Sequence, residues 1–86
     1  MTEAPDARLK RLRMRSWRRG TKEMDLILGR WADARLAGMD EAGLVLYDAL
    51  LAENDQDLYR WVTGAERAPD RFEALLAEIA AEALRV

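Results

Sequence analysis

The sequence predicts an all-α fold: a compact bundle of about five short helices. Half of its 86 residues are hydrophobic, Ala and Leu are abundant, and there are only two Pro and five Gly. That composition favours helix over strand and loop. The apolar residues also recur at spacings of three and four, the period of a helix face, and no stretch alternates as a strand would. The length fits a single small domain spanning residues 1–86.

The first helix is predicted over residues 5–18, after a disordered tail at residues 1–4. Pro5 and Asp6 suit a first helical turn, because Pro lacks the amide hydrogen that a helix start cannot use, and Asp complements the helix dipole. The apolar stripe is thin, with Leu9 and Leu12 as its clearest members. We therefore expect this helix to be the least firmly packed.

Gly20 separates the first helix from a second helix predicted over residues 21–36. Its two interpretations are a helix cap and a point of close backbone approach, and they are compatible. Glu23 lies in the first turn, where negative charge is favourable. Gly29 inside the helix indicates close packing against a neighbouring helix. The stripe expected to face the core consists of Met24, Ile27, Leu28, Trp31 and Ala34.

Three more helices are predicted over residues 41–53, 56–63 and 69–85. Asp40 is a good N-cap for the third helix, and Asp55 is expected to cap the fourth, which ends at Gly64. The last helix has a clean apolar stripe at helical spacing. Its members are Phe72, Leu75, Leu76, Ile79 and Ala83.

Charge is distributed very unevenly along the chain. Residues 1–22 carry eight basic and two acidic residues, whereas residues 23–86 carry six basic and fourteen acidic ones, for a net charge of -2. A basic arm on an acidic body suggests an anionic partner surface for the arm. The alternative interpretation is a solvated helix face.

The residue types argue against an enzyme. The chain has neither Cys nor His, so the usual zinc ligands and His-based acid–base catalysis are excluded. Ser16 has no ordinary activating base, and the paired carboxylates Asp55 and Asp57 are explained by helix capping. There is no phosphate-binding glycine loop, no membrane-spanning run and no export signal. We expect no catalytic residue, no metal and no tightly bound cofactor.

What remains is a binding surface where the first two helices meet. Gly permits close approach, Arg offers a planar fork for a carboxylate or carbonyl, and Glu accepts from a donor. Nucleic acid is the competing ligand, but it is unlikely because the body is strongly acidic. Protein contact is favoured. The predicted partner-binding residues are Arg19, Gly20, Glu23, Asp25, Arg18 and Arg15.

Two stretches carry a family resemblance. Residues 18–25, RRGTKEMD, and residues 50–62, LLAENDQDLYRWV, resemble the RRGxxExD and LLExxDxDLxxWI segments of the succinate dehydrogenase assembly factors. The spacing between the two stretches also fits, and the resemblance covers about residues 8–80. Thr21 departs from the Met that is usual in the family. The resemblance implies a five-helix bundle whose functional surface includes Arg19, Gly20 and Glu23.

The resemblance also implies a function. Members of this family promote covalent attachment of FAD to the flavoprotein subunit of succinate dehydrogenase, and in some bacteria of fumarate reductase. We therefore expect a chaperone-like factor in a bacterial cytoplasm that binds the flavoprotein, not FAD itself. Arg19 would contact the partner, and Glu23 would either orient Arg19 or pair with a partner cation. A small antitoxin-like regulator and a nucleic-acid-binding module using the basic first helix remain the alternatives.

Overall fold

The computed structural model describes residues 4–83, and within them the chain forms five α-helices and one 3₁₀ turn. The all-α prediction is confirmed, because no strand occurs in this part of the chain. The predicted helix ends agree within two residues wherever the structure describes them; residues 1–3 and 84–86 lie outside it. The elements are α1 Pro5–Trp17, α2 Lys22–Arg35, the 3₁₀ turn Leu36–Gly38, α3 Glu41–Leu51, α4 Asp55–Thr63 and α5 Asp70–Ala83.

Side-chain caps fix the starts of three helices. Thr21 caps α2, and Asp40 caps α3 by accepting from the Gly43 amide at 2.8 Å, as the sequence predicted. The expectation that Asp55 caps α4 is wrong. Asn54 takes the N-cap position and accepts from the amide of Asp57 at 2.9 Å. Asn is as favourable as Asp at an N-cap. Asp55 becomes the first residue of α4, so its carboxylate is available for another contact.

The core follows the predicted apolar stripes of α2 and α5 with two exceptions. Ala34 is exposed because it lies about a quarter turn from the buried face of α2, and Ala32 is buried in its place. Ala83 is exposed because it lies at the end of α5, beyond the last core contacts. The fully buried large side chains are Leu12, Met24, Leu28, Trp31, Leu36, Tyr47, Leu50, Leu58, Phe72 and Ile79.

Gly29 brings α1 and α2 into close contact. It is buried, and a Cβ added to it would clash with the indole ring of Trp17. The Trp17 ring lies across this notch and donates its N–H to the carboxylate of Asp33 at 3.3 Å. The prediction that close helix packing compensates for the low helix propensity of Gly29 is confirmed. The expectation that α1 is the least firmly packed helix does not allow for this contact, which its thin apolar stripe did not indicate.

A hydroxyl pair lies in the core where α1, α2 and α3 meet, and sequence reasoning did not find it. The hydroxyls of Ser16 and Tyr47 are 2.6 Å apart, and Ser16 also donates to the carbonyl of Leu12 at 2.7 Å. The Tyr47 ring stacks on Trp31 with the ring centroids 5.0 Å apart. Burial raises the pKa of Tyr47 to about 12, although the hydrogen bond with Ser16 lowers it in part.

The basic first helix is not a free arm. Arg8 pairs with Glu41 at 2.7 Å, and both Arg11 and Arg15 pair with the Asp48 carboxylate of α3. The hydrogen bond from Arg11 lowers the pKa of Asp48, against a smaller opposing effect of burial, and Arg15 adds to the lowering. Three of the six basic residues in the predicted first helix are thus paired inside the bundle. This leaves less positive charge for phosphates and weakens the nucleic-acid alternative.

Candidate functional site

The site begins with the short connection between α1 and α2, residues 18–21. Gly20 is exposed at φ +105°, in the left-handed region that L residues rarely adopt. A Cβ there would meet only the Asp55 carboxylate, at an ordinary 3.6 Å. Backbone conformation, not space, is therefore what requires glycine at this position. The connection turns sharply and presents its backbone to solvent.

Arg19 points inward from this connection. Its Nε donates to Asp55 at 2.8 Å, and its two terminal nitrogens donate to the carbonyls of Leu51 at 2.6 Å and Glu53 at 2.7 Å. The side chain is only 10% exposed. Carbonyls at the C-terminal end of a helix have no partner within the helix, so Arg19 satisfies two acceptors at the end of α3. The guanidinium fork fits this arrangement because its donors point in several directions.

Asp25 holds the backbone of the same residue. Its carboxylate accepts from the Arg19 amide at 2.6 Å. Arg19, Asp25 and Asp55 together form what we call the inner clamp, which ties the α1–α2 connection to the junction of α3 and α4. The clamp joins the two stretches, residues 18–25 and 50–62, in which the sequence resemblance was found.

Glu23 lies four residues after Arg19, but it lies on the surface, whereas the Arg19 side chain is nearly buried. It is exposed and forms no hydrogen bond or ion pair with any of residues 4–83. The predicted pairing of Glu23 with Arg19 does not form, because the chain is not helical between residues 18 and 21 and Asp55 holds the guanidinium. Of the two roles predicted for Glu23, pairing with a partner cation is the one that this geometry allows.

A groove of about 510 Å³ opens beside Glu23, between the start of α2 and the start of α4. Tyr59 lies in it with 45% of its surface exposed, and it also borders a second groove of about 280 Å³ that reaches Arg30 and Ala83. Sequence reasoning missed Tyr59. The available signal was an aromatic residue next to, and not within, the apolar stripe of α4. We call Gly20, Thr21, Glu23, Gln56 and Tyr59 the outer surface.

Arg15 and Arg18 were predicted to flank the site, and the structure places them along α1. Arg15 pairs with Asp48, while Arg18 is exposed at the end of the helix. Both line a different groove, of about 440 Å³, together with Ala7, Lys10, Arg11 and Met14. The six predicted residues therefore divide into three sets: the inner clamp, the outer surface and this face of α1.

Among residues 4–83, no group of three or more acidic side chains is arranged to hold a metal ion. None of the described helices is long and apolar enough to cross a membrane.

Comparison with known proteins decides the family. Residues 10–83 match the model of the family described as flavinator of succinate dehydrogenase. The chain belongs to this family. Both stretches quoted above lie inside the matched range, so the inner clamp and the outer surface are parts of the flavinator domain.

Curated relatives of this flavinator family agree. The chain is 36% identical over 74 residues to succinate dehydrogenase assembly factor 2, mitochondrial, of Drosophila grimshawi, covering 84% of this chain and 50% of that protein. The protein of the same name in Schizosaccharomyces pombe is 36% identical over 72 residues, covering 84% of this chain and 52% of that one. The Arabidopsis thaliana protein is 37% identical over 62 residues, covering 72% and 33%.

The chain thus spans about half the length, or less, of these curated relatives. Their names place those proteins in mitochondria, whereas the sequence favoured a bacterial cytoplasm. The family is named for assisting another enzyme, not for a reaction of its own.

Proposed function

We propose that this chain promotes covalent attachment of FAD to the flavoprotein subunit of succinate dehydrogenase, and that it does so by binding that subunit through the outer surface. The family match over residues 10–83 and the assembly-factor names of the relatives support this function. The observation that carries the choice of surface is the exposed Glu23 carboxylate, unpaired with any of residues 4–83. It lies beside a groove and in the first turn of α2, directly after the connection that the inner clamp ties to the junction of α3 and α4.

Each residue of the outer surface has a distinct part in this proposal. Gly20 lets the partner's backbone approach the turn, because no side chain stands in the way. Glu23 pairs with a cation of the flavoprotein, and Tyr59 supplies a rigid aromatic surface of the kind enriched at binding hot spots. Arg19 acts differently: it positions the connection from inside and, being 10% exposed, has little surface left for a partner.

The proposed contribution to catalysis is orientation. The reacting flavin and the residue that bonds to it belong to the partner, and this chain holds the partner's domains in an arrangement in which the bond forms. It brings neither a catalytic residue nor a tightly held FAD of its own. Fumarate reductase is a second proposed client, and the bacterial cytoplasm remains the predicted location.

The test is covalent flavin on the succinate dehydrogenase flavoprotein, measured as fluorescence in a denaturing gel. The flavoprotein is co-expressed with the wild-type chain, with Glu23→Gln, with Glu78→Gln, or alone. Glu78→Gln is the matched control, because Glu78 is an exposed helical acid on α5 that lines neither groove beside Tyr59. We expect strong signal with the wild type and the control, and a large loss with Glu23→Gln.

Equal flavin in all four samples would show that the chain is dispensable for this client. Equal loss with Glu23→Gln and Glu78→Gln would mean that general surface charge matters, not the outer surface. A binding assay between the purified chain and the flavoprotein separates contact from turnover: Glu23→Gln should weaken binding, while its far-UV circular dichroism stays that of the wild type.

A further inference from the structure

The face of α1 that carries Arg15 and Arg18 is a second surface, which the proposed function does not use. Lys10 and Met14 lie four residues apart on α1, and Arg18, the residue that follows the helix, comes four residues later, so the three form one line along a groove. Met14 is 43% exposed between the two cations. The groove of about 440 Å³ along this line is also bordered by Arg11 and Arg15. We call these residues, with Ala7, the α1 outer face.

Two cations of the α1 outer face are open to a partner, and two others are paired within the bundle. Arg11 and Arg15 both pair with the carboxylate of Asp48. Lys10 and Arg18 are exposed and form no ion pair with any of residues 4–83. An exposed apolar side chain thus lies between two cations whose charges are open to a partner.

We propose that the α1 outer face binds an acidic helical segment of a protein partner, in which one apolar side chain lies between two carboxylates. Residues four apart on a helix are about 6 Å apart along its axis, so the cations stand about one turn on each side of Met14. A partner helix with an acid, an apolar residue and an acid at the same intervals complements this line. Its carboxylates pair with Lys10 and Arg18, and its apolar residue packs on Met14.

Two observations favour a protein segment over nucleic acid or lipid. Among residues 4–83, the lining of the groove includes no aromatic ring on which a base could stack. Met14 is the one large exposed apolar residue in this described part of the lining, which is too little apolar surface for an interfacial membrane helix.

The test uses a synthetic helical peptide in which a Leu lies between two Glu residues at the spacing of Lys10, Met14 and Arg18. Its binding to the whole chain is followed by fluorescence anisotropy and mapped by amide chemical shifts. We expect the shifts to fall along α1, and Lys10→Gln/Arg18→Gln to weaken binding about tenfold at low salt. The matched control Arg67→Gln/Arg71→Gln removes the same charge outside the groove, and we expect it to change binding less than twofold.

Met14→Gln tests the apolar part, with an expected loss of about three- to tenfold. Shifts that fall elsewhere, or equal weakening by the two double variants, would overturn the proposal. So would tighter binding of a single-stranded oligonucleotide or an anionic lipid vesicle than of the peptide. Self-association lost only in Lys10→Gln/Arg18→Gln would also overturn it, because a second copy would then be the occupant. None of these outcomes depends on flavin attachment, so the proposed function stands or falls separately.

Discussion

Arg19 and Glu23 are four residues apart and belong to two contrasting regions. The inner clamp, around Arg19, is nearly closed to solvent and has its donors and acceptors paired within the bundle. The outer surface, around Glu23, is exposed and has its carboxylate unpaired among the described residues. Residues that look like one contact motif in the sequence are divided by the fold into a support and the surface that it supports.

This contrast teaches that loss of function at the two positions has different causes. A change in the inner clamp acts first on stability and on the shape of the connection. A change in the outer surface acts first on binding. Stability and flavin attachment, measured together, distinguish them, and the predictions below run from the largest expected effect to the smallest.

The largest effect is expected from Arg19→Lys. Lys keeps the charge but has one nitrogen in place of the guanidinium fork, so the bonds to Asp55, Leu51 and Glu53 cannot all be kept. We expect a loss of about 2–5 kcal/mol in the free energy of unfolding, since the carbonyls of Leu51 and Glu53 lose their donor and a buried unsatisfied acceptor costs about 1–3 kcal/mol. Urea denaturation measures it, with exposed Arg18→Lys as the control. If Arg19→Lys kept the stability of the wild type but lost flavin attachment, Arg19 would instead be a contact residue.

The next effect comes from pH and concerns the core behind the clamp. The pKa of Tyr47 is raised from 10.0 to about 12 by burial. The folded protein therefore resists ionisation of Tyr47 that the unfolded chain undergoes. The contribution of Tyr47 to stability should be constant below pH 10 and fall by about 2–3 kcal/mol as the pH rises towards 12. Tyr47→Phe should remove this part of the decline. If the wild type and Tyr47→Phe lost stability in parallel, the decline could not be assigned to ionisation of Tyr47.

The same titration sharpens the contrast between the two regions. The positive charge of Arg19 is among the causes that lower the pKa of Tyr47. Arg19→Gln should therefore raise this pKa further, as read from phenolate absorbance, whereas Glu23→Gln should leave it unchanged.

Gly20 lies where the two regions meet, and two substitutions there separate strain from bulk. Gly20→Ala and Gly20→Arg share the cost of φ +105°, about 1–3 kcal/mol. Both should lower the unfolding midpoint by similar amounts. Flavin attachment at a temperature where both are folded should be retained in Gly20→Ala and lost in Gly20→Arg. Equal loss in both would make Gly20 purely structural.

The smallest effect on stability is expected from Glu23→Ala. An exposed acid in the first turn of a helix contributes about 0.3–1 kcal/mol through the helix dipole. Chemical denaturation should show a change in this range, although flavin attachment falls strongly. A drop several times larger would place Glu23 with the inner clamp and remove the contrast.

Much of the fold could be predicted from the sequence because helical periodicity, glycines and N-caps are local signals. The caps at Asp40 and Gly64 and the apolar stripe of α5 are examples. Ser16 could not be found in this way. Its burial depends on Tyr47, 31 residues further along the chain, and a lone Ser on a basic helix carries no local sign of a core partner.

A candidate site at residues 18–25 could be proposed from the sequence, but not the geometry within it. The proposal came from residue types and the family resemblance. That Arg19 points inward follows from the Asn54 cap, which leaves Asp55 free to accept from it. Arg19 and Asp55 are 36 residues apart, so spacing rules cannot predict that they pair. The exposure of Tyr59 cannot be predicted in this way either, because it depends on how α2, α4 and α5 come together.

The notch at Gly29 affects how variants of this protein are interpreted. Trp17 fills the space that a single methyl group would need, and α1 leads directly from Trp17 into the connection that carries Gly20. An alanine at position 29 would push α1 away from α2 and displace a docking surface that it never touches. Such a variant should be less stable, and under the proposed function cells carrying it would show less covalent flavin because less folded protein is present. Gly38, where an added Cβ meets nothing within 4 Å, is a position where the same change should be silent.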